Sequence, residues 1–310
     1  MGTDVTRCLC EIGPHGTGLA LARLALAILA GGCGASVTSG SDPDPSSDLK
    51  GHMPEGVDAR SDETVLNTLA DYFDRNRERV YFSRQLEVAF ESQWFHWITN
   101  RGLRMLIEQG LLVAEERTLS TGGSIHVMWH RGYRYPKREA ARVVALVEEY
   151  AHPNIGASLG LQGEMLTLEG FARHQFVLHG REVNSFRGRR WDETAHDLDF
   201  IFERDNQAYG VEVKNTLGYM DQRELRIKVR MAGVLGIRPV FVVRMMPKNW
   251  IYEVQKAGGF VLVLKWQLYP WTHRDLARRV RDELGLPVDA PRALEDGTTQ
   301  RFLRWHLRNM

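Results

Sequence analysis

The stretch His196–Asn215, HDLDFIFERDNQAYGVEVKN, decides the fold. Two apolar alternations, Leu198–Phe200–Phe202 and Tyr209–Val211–Val213, flank the turn-forming pair Asp205–Asn206, which is the pattern of a β-hairpin. Successive side chains of a strand point to opposite faces. Asp197 and Asp199 therefore share one face of the first strand, and Glu212 and Lys214 share one face of the second. Closing the hairpin gathers two to three carboxylates and one ammonium at one end of an apolar ribbon. Carboxylates beside a core lose hydration and repel one another, so such a cluster is expected where a cation or a substrate uses it.

Working outward, a helix is predicted over Gly163–Leu178 and a first strand over Arg181–Phe186. After the hairpin come a helix over Asp221–Leu235, a strand over Pro239–Arg244, a helix near Asn249–Lys256 and a strand over Phe260–Lys265. The runs Val240–Val243 and Phe260–Leu264 are apolar throughout, as buried parallel strands with helices on both faces are.

Asp199, followed thirteen residues later by Glu212–Val213–Lys214 within this α-β-β-β-α-β order, resembles the motif of the PD-(D/E)xK nuclease superfamily. The resemblance covers roughly residues 160 to 270, and the Asp-to-Glu spacing is similar to that of the archaeal Holliday-junction resolvases. Leu198 stands where the motif has Pro, which leaves both Asp197 and Asp199 as candidates for the main metal ligand. The resemblance implies a restriction-endonuclease-like α/β core in which Asp199 and Glu212, with Asp197, hold Mg²⁺ or Mn²⁺. The carbonyl of Val213 would complete the shell, and Lys214 would orient or deprotonate the attacking water. It also implies a Glu on the first core helix. Glu169, eleven residues before Gly180, fits the resolvase spacing, with Glu164 as its competitor, and a dipole-favoured N-terminal carboxylate is the other use of either. On the helix after the hairpin, Lys228 is the expected site-facing residue among Gln222, Arg226, Lys228 and Arg230. The basic segment Arg187–Gly188–Arg189–Arg190 precedes the hairpin, either to neutralise neighbours of the scissile phosphate or as a plain surface turn. His196 is left outside the chemistry.

The chain has 310 residues, 43% of them hydrophobic and 25% charged, which suits a soluble protein of two domains. A formal net charge of +1 leaves nucleic-acid binding to be judged from local charge. Cys8, Cys10 and Cys33 all lie near the start, so no disulfide framework or zinc quartet is available after Met53. The apolar run Gly18–Ala30 invites an export signal. Asp4 and Glu11 outnumber Arg7 before it, Arg23 interrupts it, and it is short for a bilayer span. A cytoplasmic protein without a membrane partner is expected, its first 60 residues an unstructured or spurious extension with a Ser/Asp/Pro/Gly-rich linker over Ser39–Arg60.

Ordered structure is predicted from Asp62: a helix to Arg75, a short helix Ser83–Phe90, a third helix from Ser92 to Gln109, and strands Leu111–Glu116 and Ser124–Trp129 around Ser120–Gly123. Three helices followed by a hairpin with a small-residue tip resemble a winged helix-turn-helix. The third helix would then be the recognition helix, presenting Gln93, His96, Trp97, Asn100, Arg101 and Arg104 to DNA. The wing and its exit add Arg117, His126, His130, Arg131, Arg134, Lys137 and Arg138, interleaved with Tyr133 and Tyr135. Such modules also bind proteins, and Arg-rich faces are often simply solvated.

The expected organisation is an extension (1–60), a winged helix-turn-helix (61–136), a connecting helix (137–157), a nuclease-like α/β domain (158–270) and a helical tail (271–310). The function implied is a metal-dependent DNA endonuclease of restriction, resolvase or repair type. Cutting two strands suits a homodimer, and with no Walker-type loop in the chain an ATPase would be a separate protein. The competing readings are a DNA-binding regulator or adaptor with an inactive nuclease-like domain, and an α/β protein in which Glu212 and Lys214 form an ordinary ion pair.

Overall fold

The computed structural model describes residues 59–310, with side chains from Asp62 onward. The expectations for the cysteines, the apolar run and nearly all of the linker lie outside the described residues. The chain is α/β. Helix α1 (Ala59–Arg75) buries Val65, Leu69 and Phe73, one per turn, with Asp62 in its first turn and Arg75 in its last to complement the dipole. Strand β1 (Val80–Phe82), too short to announce itself by period, pairs antiparallel with β3 (Ser124–His130). β3 in turn pairs antiparallel with β2 (Leu112–Thr118), giving the order β1-β3-β2. Helix α2 spans Ser83–Ala89, and α3 spans His96–Glu108 rather than starting at Ser92. Trp94 stacks on Phe90 at 5.5 Å, and the amides of Gln93 and Trp94 bond to the Phe90 carbonyl, so this aromatic stretch turns before the helix begins.

Helix α4 (Pro136–Tyr150) begins at a Pro, which fits the first helical turn. The connecting segment expected as one helix over 137–157 is divided here, since His152–Pro153–Asn154 opens α5 (Pro153–Arg173), where His152 Nδ1 accepts the Asn154 amide at 3.3 Å. This helix starts ten residues before the predicted Gly163 and ends five before Leu178, so the first strand is β4 (Val177–Val183). Two of its glycines are sites of close approach. A Cβ at Gly163 would meet the Asn215 Cβ at 2.7 Å, and one at Gly170 the Thr299 Cγ2 at 2.8 Å.

A small ribbon, β5 (Ser185–Phe186) and β6 (Arg189–Arg190), leads to the hairpin β7 (Leu198–Arg204) and β8 (Gln207–Lys214). Asp205 and Asn206 both take left-handed conformations, φ 50° and 60°, the residue types and torsions of a tight two-residue hairpin turn. Next follow α6 (Gln222–Leu235), β9 (Arg238–Val243), α7 (Lys248–Lys256) and β10 (Phe260–Val263). The sheet order is β10-β9-β8-β7-β4, antiparallel on the hairpin side and parallel from β8 to β10.

One face of this sheet, with Phe200, Phe202, Tyr209, Val211 and Val213, packs on α5 and the last helix, α9 (Asp296–Arg308). The other, with Ile201, Ala208, Phe241 and Val243, packs on α6 and α7. The segment after β10 is therefore part of the core. β11 (Gln267–Leu268) pairs with β12 (Val288–Asp289), α8 (Arg274–Leu284) lies on α4, and Phe302 of α9 stacks on Phe171 at 4.8 Å. Buried Tyr209 and His306 join at 2.6 Å, and His306 reaches Asp205 at 3.0 Å, tying α9 to the hairpin turn. A single apolar cluster runs from Val80, Phe82 and Trp129 through Val147 to Leu217, Met245 and Val280, across the segments that read as separate units.

Asn215, at the end of β8, is the knot of this arrangement. It is buried, its Nδ2 donates to the carbonyls of Leu159 (2.8 Å) and Leu268 (2.7 Å), and its Oδ1 accepts the Leu268 amide at 2.7 Å. Asn215→Ala removes all three bonds and leaves buried backbone groups unpaired. Urea unfolding is expected to show a loss of about 3 kcal/mol, from about 1 kcal/mol per bond.

Candidate active site

The β7/β8 register pairs Phe200 with Val211, so continuing it sets Asp199 across from Glu212 on the face that carries α6. Asp199 Oδ2 accepts the Val213 amide at 2.6 Å, and its Oδ1 has no partner among the described residues. Glu212 is 1% exposed and lies between two ammonium groups, Lys214 Nζ at 2.9 Å from Oε1 and Lys228 Nζ at 2.6 Å from Oε2. Lys228, itself 4% exposed, also donates to the Asp197 carbonyl. Its place in the middle of α6 follows from the helical period, one turn after Leu225 and one before Met231 on the buried stripe. Lys214 has a second carboxylate, Glu224 Oε1, at 2.9 Å.

Burial, and then the charge of Glu212, pushes the Asp199 carboxyl up to about 8, against the Val213 amide and the ammoniums of Lys214 and Lys228. Burial opposes the charged form of Lys214, but Glu212 and Glu224 outweigh it and hold the ammonium above the usual lysine range. Glu164, on the turn of α5 beside Gly163, is also raised: burial is the main cause, Arg181 at 3.2 Å opposes it, and Glu182 and Glu212 add to the rise. The centre thus holds three acids whose charges oppose one another and two lysines, both spent on Glu212. Among the described residues no three His, Cys, Asp or Glu side chains stand together as a preformed metal cage.

Other expected site residues lie elsewhere. Glu169 is on the surface in an ion pair with Arg173 at 2.7 Å, because five residues along a helix turn it well away from the side that carries Glu164. Asp197 lies before β7 with its side chain exposed and unpaired, so Asp199 is the strand carboxylate. Arg187 grips Glu203 at 2.7 Å, four residues along β7 from Asp199, or about 13 Å at strand spacing. Arg189 abuts Gly236 at the C-terminal end of α6, and Arg190 is exposed on the same ribbon. Arg187 and Arg189 therefore reach toward the far end of the strands from the carboxylates.

On α3, Trp97 (44% exposed) and Arg104 face solvent, and Gln93 is exposed in the turn before the helix. Asn100 is taken up by Glu87 at 2.7 Å, and Arg101 by Asp62 and the face of Trp97. The beginning of this helix is docked on the larger sheet's unit. The His96 ring lies 4.9 Å from that of Tyr219, and buried Arg244 reaches Glu91 at 2.7 Å while its amide bonds to the Lys214 carbonyl. Sequence reading passed over Glu224, Asn215, Tyr219 and Arg244. The polar residues just after an E-x-K triplet, and an Asp that caps the following helix, are the signals that would have singled out the first two.

No protein-family model matches the chain, and no curated protein matches it. Among solved structures, that of protein VC1899 from Vibrio cholerae is similar at 12% identity and a TM-score of 0.26. The match takes in 80% of this chain and 52% of that one, so this chain spans about half the length of that protein.

An aspartate raised from about 3.9 in the unfolded chain to about 8 in the folded one stabilises the fold below the lower value. That contribution is lost as the pH climbs through the upper value. Asp199→Asn keeps the acceptor for Val213 and is neutral at every pH. In EDTA its thermal midpoint is expected to gain on that of the wild type between pH 5 and pH 9, and a constant difference contradicts the raised carboxyl.

Proposed function

We propose that the chain is a metal-dependent DNA endonuclease of the PD-(D/E)xK type, its five-stranded unit a restriction-endonuclease-like core and the preceding unit a winged helix-turn-helix that contacts DNA. The observation that carries this reading is the hairpin that sets Asp199 beside Glu212, with Lys214 next to them, inside the order α5-β4-β7-β8-α6-β9. The small three-stranded sheet with its three helices supports the second part.

Asp199 and Glu212 suit a divalent cation, Mg²⁺ or Mn²⁺. Asp199 Oδ1 has no hydrogen-bond partner among the described residues, each Glu212 oxygen keeps a lone pair beyond its lysine contact, and burial with the charge of Glu212 raises the Asp199 carboxyl. When bound, the cation supplies Lewis-acid stabilisation of the charge that builds up on the phosphoryl oxygens. Lys214, held protonated by two carboxylates, serves as a fixed cation that orients water and faces the phosphate rather than as a base. Lys228 holds Glu212 in place through its second oxygen. Trp97, Arg104 and the hairpin between β2 and β3 are the surfaces offered to DNA. A regulator or adaptor that binds DNA without cutting it is the second reading, and the capping of both Glu212 oxygens by lysines favours it.

Supercoiled plasmid, linear duplex, single-stranded DNA and a four-way junction, each with Mg²⁺ or EDTA, decide between them. Cleavage is expected to need the metal and to fall by roughly two orders of magnitude in Lys214→Ala. Binding of the duplex with no cleavage of any substrate supports the regulator instead.

A further inference from the structure

We propose that Glu224 is a positioning residue of this site, seating the Lys214 ammonium so that it stands at one fixed place between Glu212 and the substrate phosphate. Resting on the reading of Lys214 as the site's cation, this assigns a role to a residue outside the Asp–Glu–Lys motif.

The geometry builds from the start of α6. Asp221 Oδ1 accepts the amides of Arg223 (2.6 Å) and Glu224 (3.2 Å), which fixes Glu224 as the third residue of the helix. A glutamate there commonly turns back to the amide of the capping residue. Glu224 makes no such bond, and its Oε1 lies 2.9 Å from Lys214 Nζ on the end of β8. Lys214 Nζ is at the same 2.9 Å from Glu212 Oε1. A lysine is a point charge on a flexible four-carbon stem, so one carboxylate leaves it free to swing and a second one fixes it. Both side chains of the Lys214–Glu224 pair are about one-fifth exposed, at 21% and 20%, so the contact is less screened than a surface pair while the ammonium remains within reach of a substrate. Glu212 cannot do this alone, because its other oxygen is drawn to Lys228.

An ordinary clip between α6 and β8 would place the same two residues together, so the test must read the ammonium and not only stability. The full chain, ¹⁵N-labelled at lysine, is compared as wild type, Glu224→Gln and Glu224→Asp. The Lys214 ammonium signal, assigned by its absence in Lys214→Arg, is followed alongside kcat and KM for plasmid cleavage well below the thermal midpoint. The expected result is a wild-type signal that is lost or displaced in Glu224→Gln, with kcat down roughly 10- to 100-fold at unchanged KM and partly restored in Glu224→Asp. A signal unmoved in Glu224→Gln overturns the proposal, as does a displaced signal with unchanged kcat. A wild type that cuts nothing removes the nuclease reading alone, and the ammonium signal then upholds or overturns the seating of Lys214 by itself.

Discussion

Glu212 is a carboxylate with almost no access to water, and the site is arranged around pairing it with two ammonium groups. Stripping one partner from a buried ion pair typically costs about 3–5 kcal/mol, so neither lysine beside it is an accessory. Lys214 comes from the same strand two residues on, while Lys228 must be delivered across the sheet by α6. That need fixes α6 against β8. The Asp221 cap sets where the helix starts, and its buried stripe turns Lys228 inward. Asp199, set across from Glu212 by the hairpin register, is the acid whose carboxyl burial and the charge of Glu212 push up.

The same strand end ties the two halves of the chain together. Lys214 is followed by Asn215, whose three bonds reach α5 and β11, and its carbonyl accepts the amide of Arg244, whose side chain reaches Glu91. The start of α3 therefore sits on the residues that hold the centre. It presents Trp97 and Arg104 from a fixed position instead of swinging on a linker. Nucleic acid lying along α3 would meet a unit whose distance to Lys214 is set by packed side chains.

The hairpin was legible in the sequence because a half-buried ribbon writes its register as alternation and its turn as Asp–Asn, and those residues suffice to set Asp199 opposite Glu212. Lys228 was reached through the family resemblance, and the helical period explains why it turns inward. Glu164 was not separable from Glu169, since both lie on one Gly-rich helix and only the close approach of Gly163 to Asn215 shows which turn faces the hairpin. Of the two uses open to the arginine segment, the surface turn is the one that fits Arg187 and Arg189, because sequence nearness to Asp197 says nothing about where along the strands a connecting ribbon reaches. Arg244 was missed because its partner comes from another element and no local pattern records such a meeting, whereas the Asp221 cap marked the start of α6 without showing that Glu224 turns to Lys214.

Asp199 and Glu212 are proposed to form one cation site. The most direct measurement is Mn²⁺ binding by electron paramagnetic resonance, at a fixed concentration of the full chain, for wild type and Asp199→Asn. The account predicts saturable binding to the wild type that weakens at least tenfold in the variant, about the 1.4 kcal/mol or more expected from losing one charged ligand. Equal binding by both proteins, or none by the wild type, would contradict it.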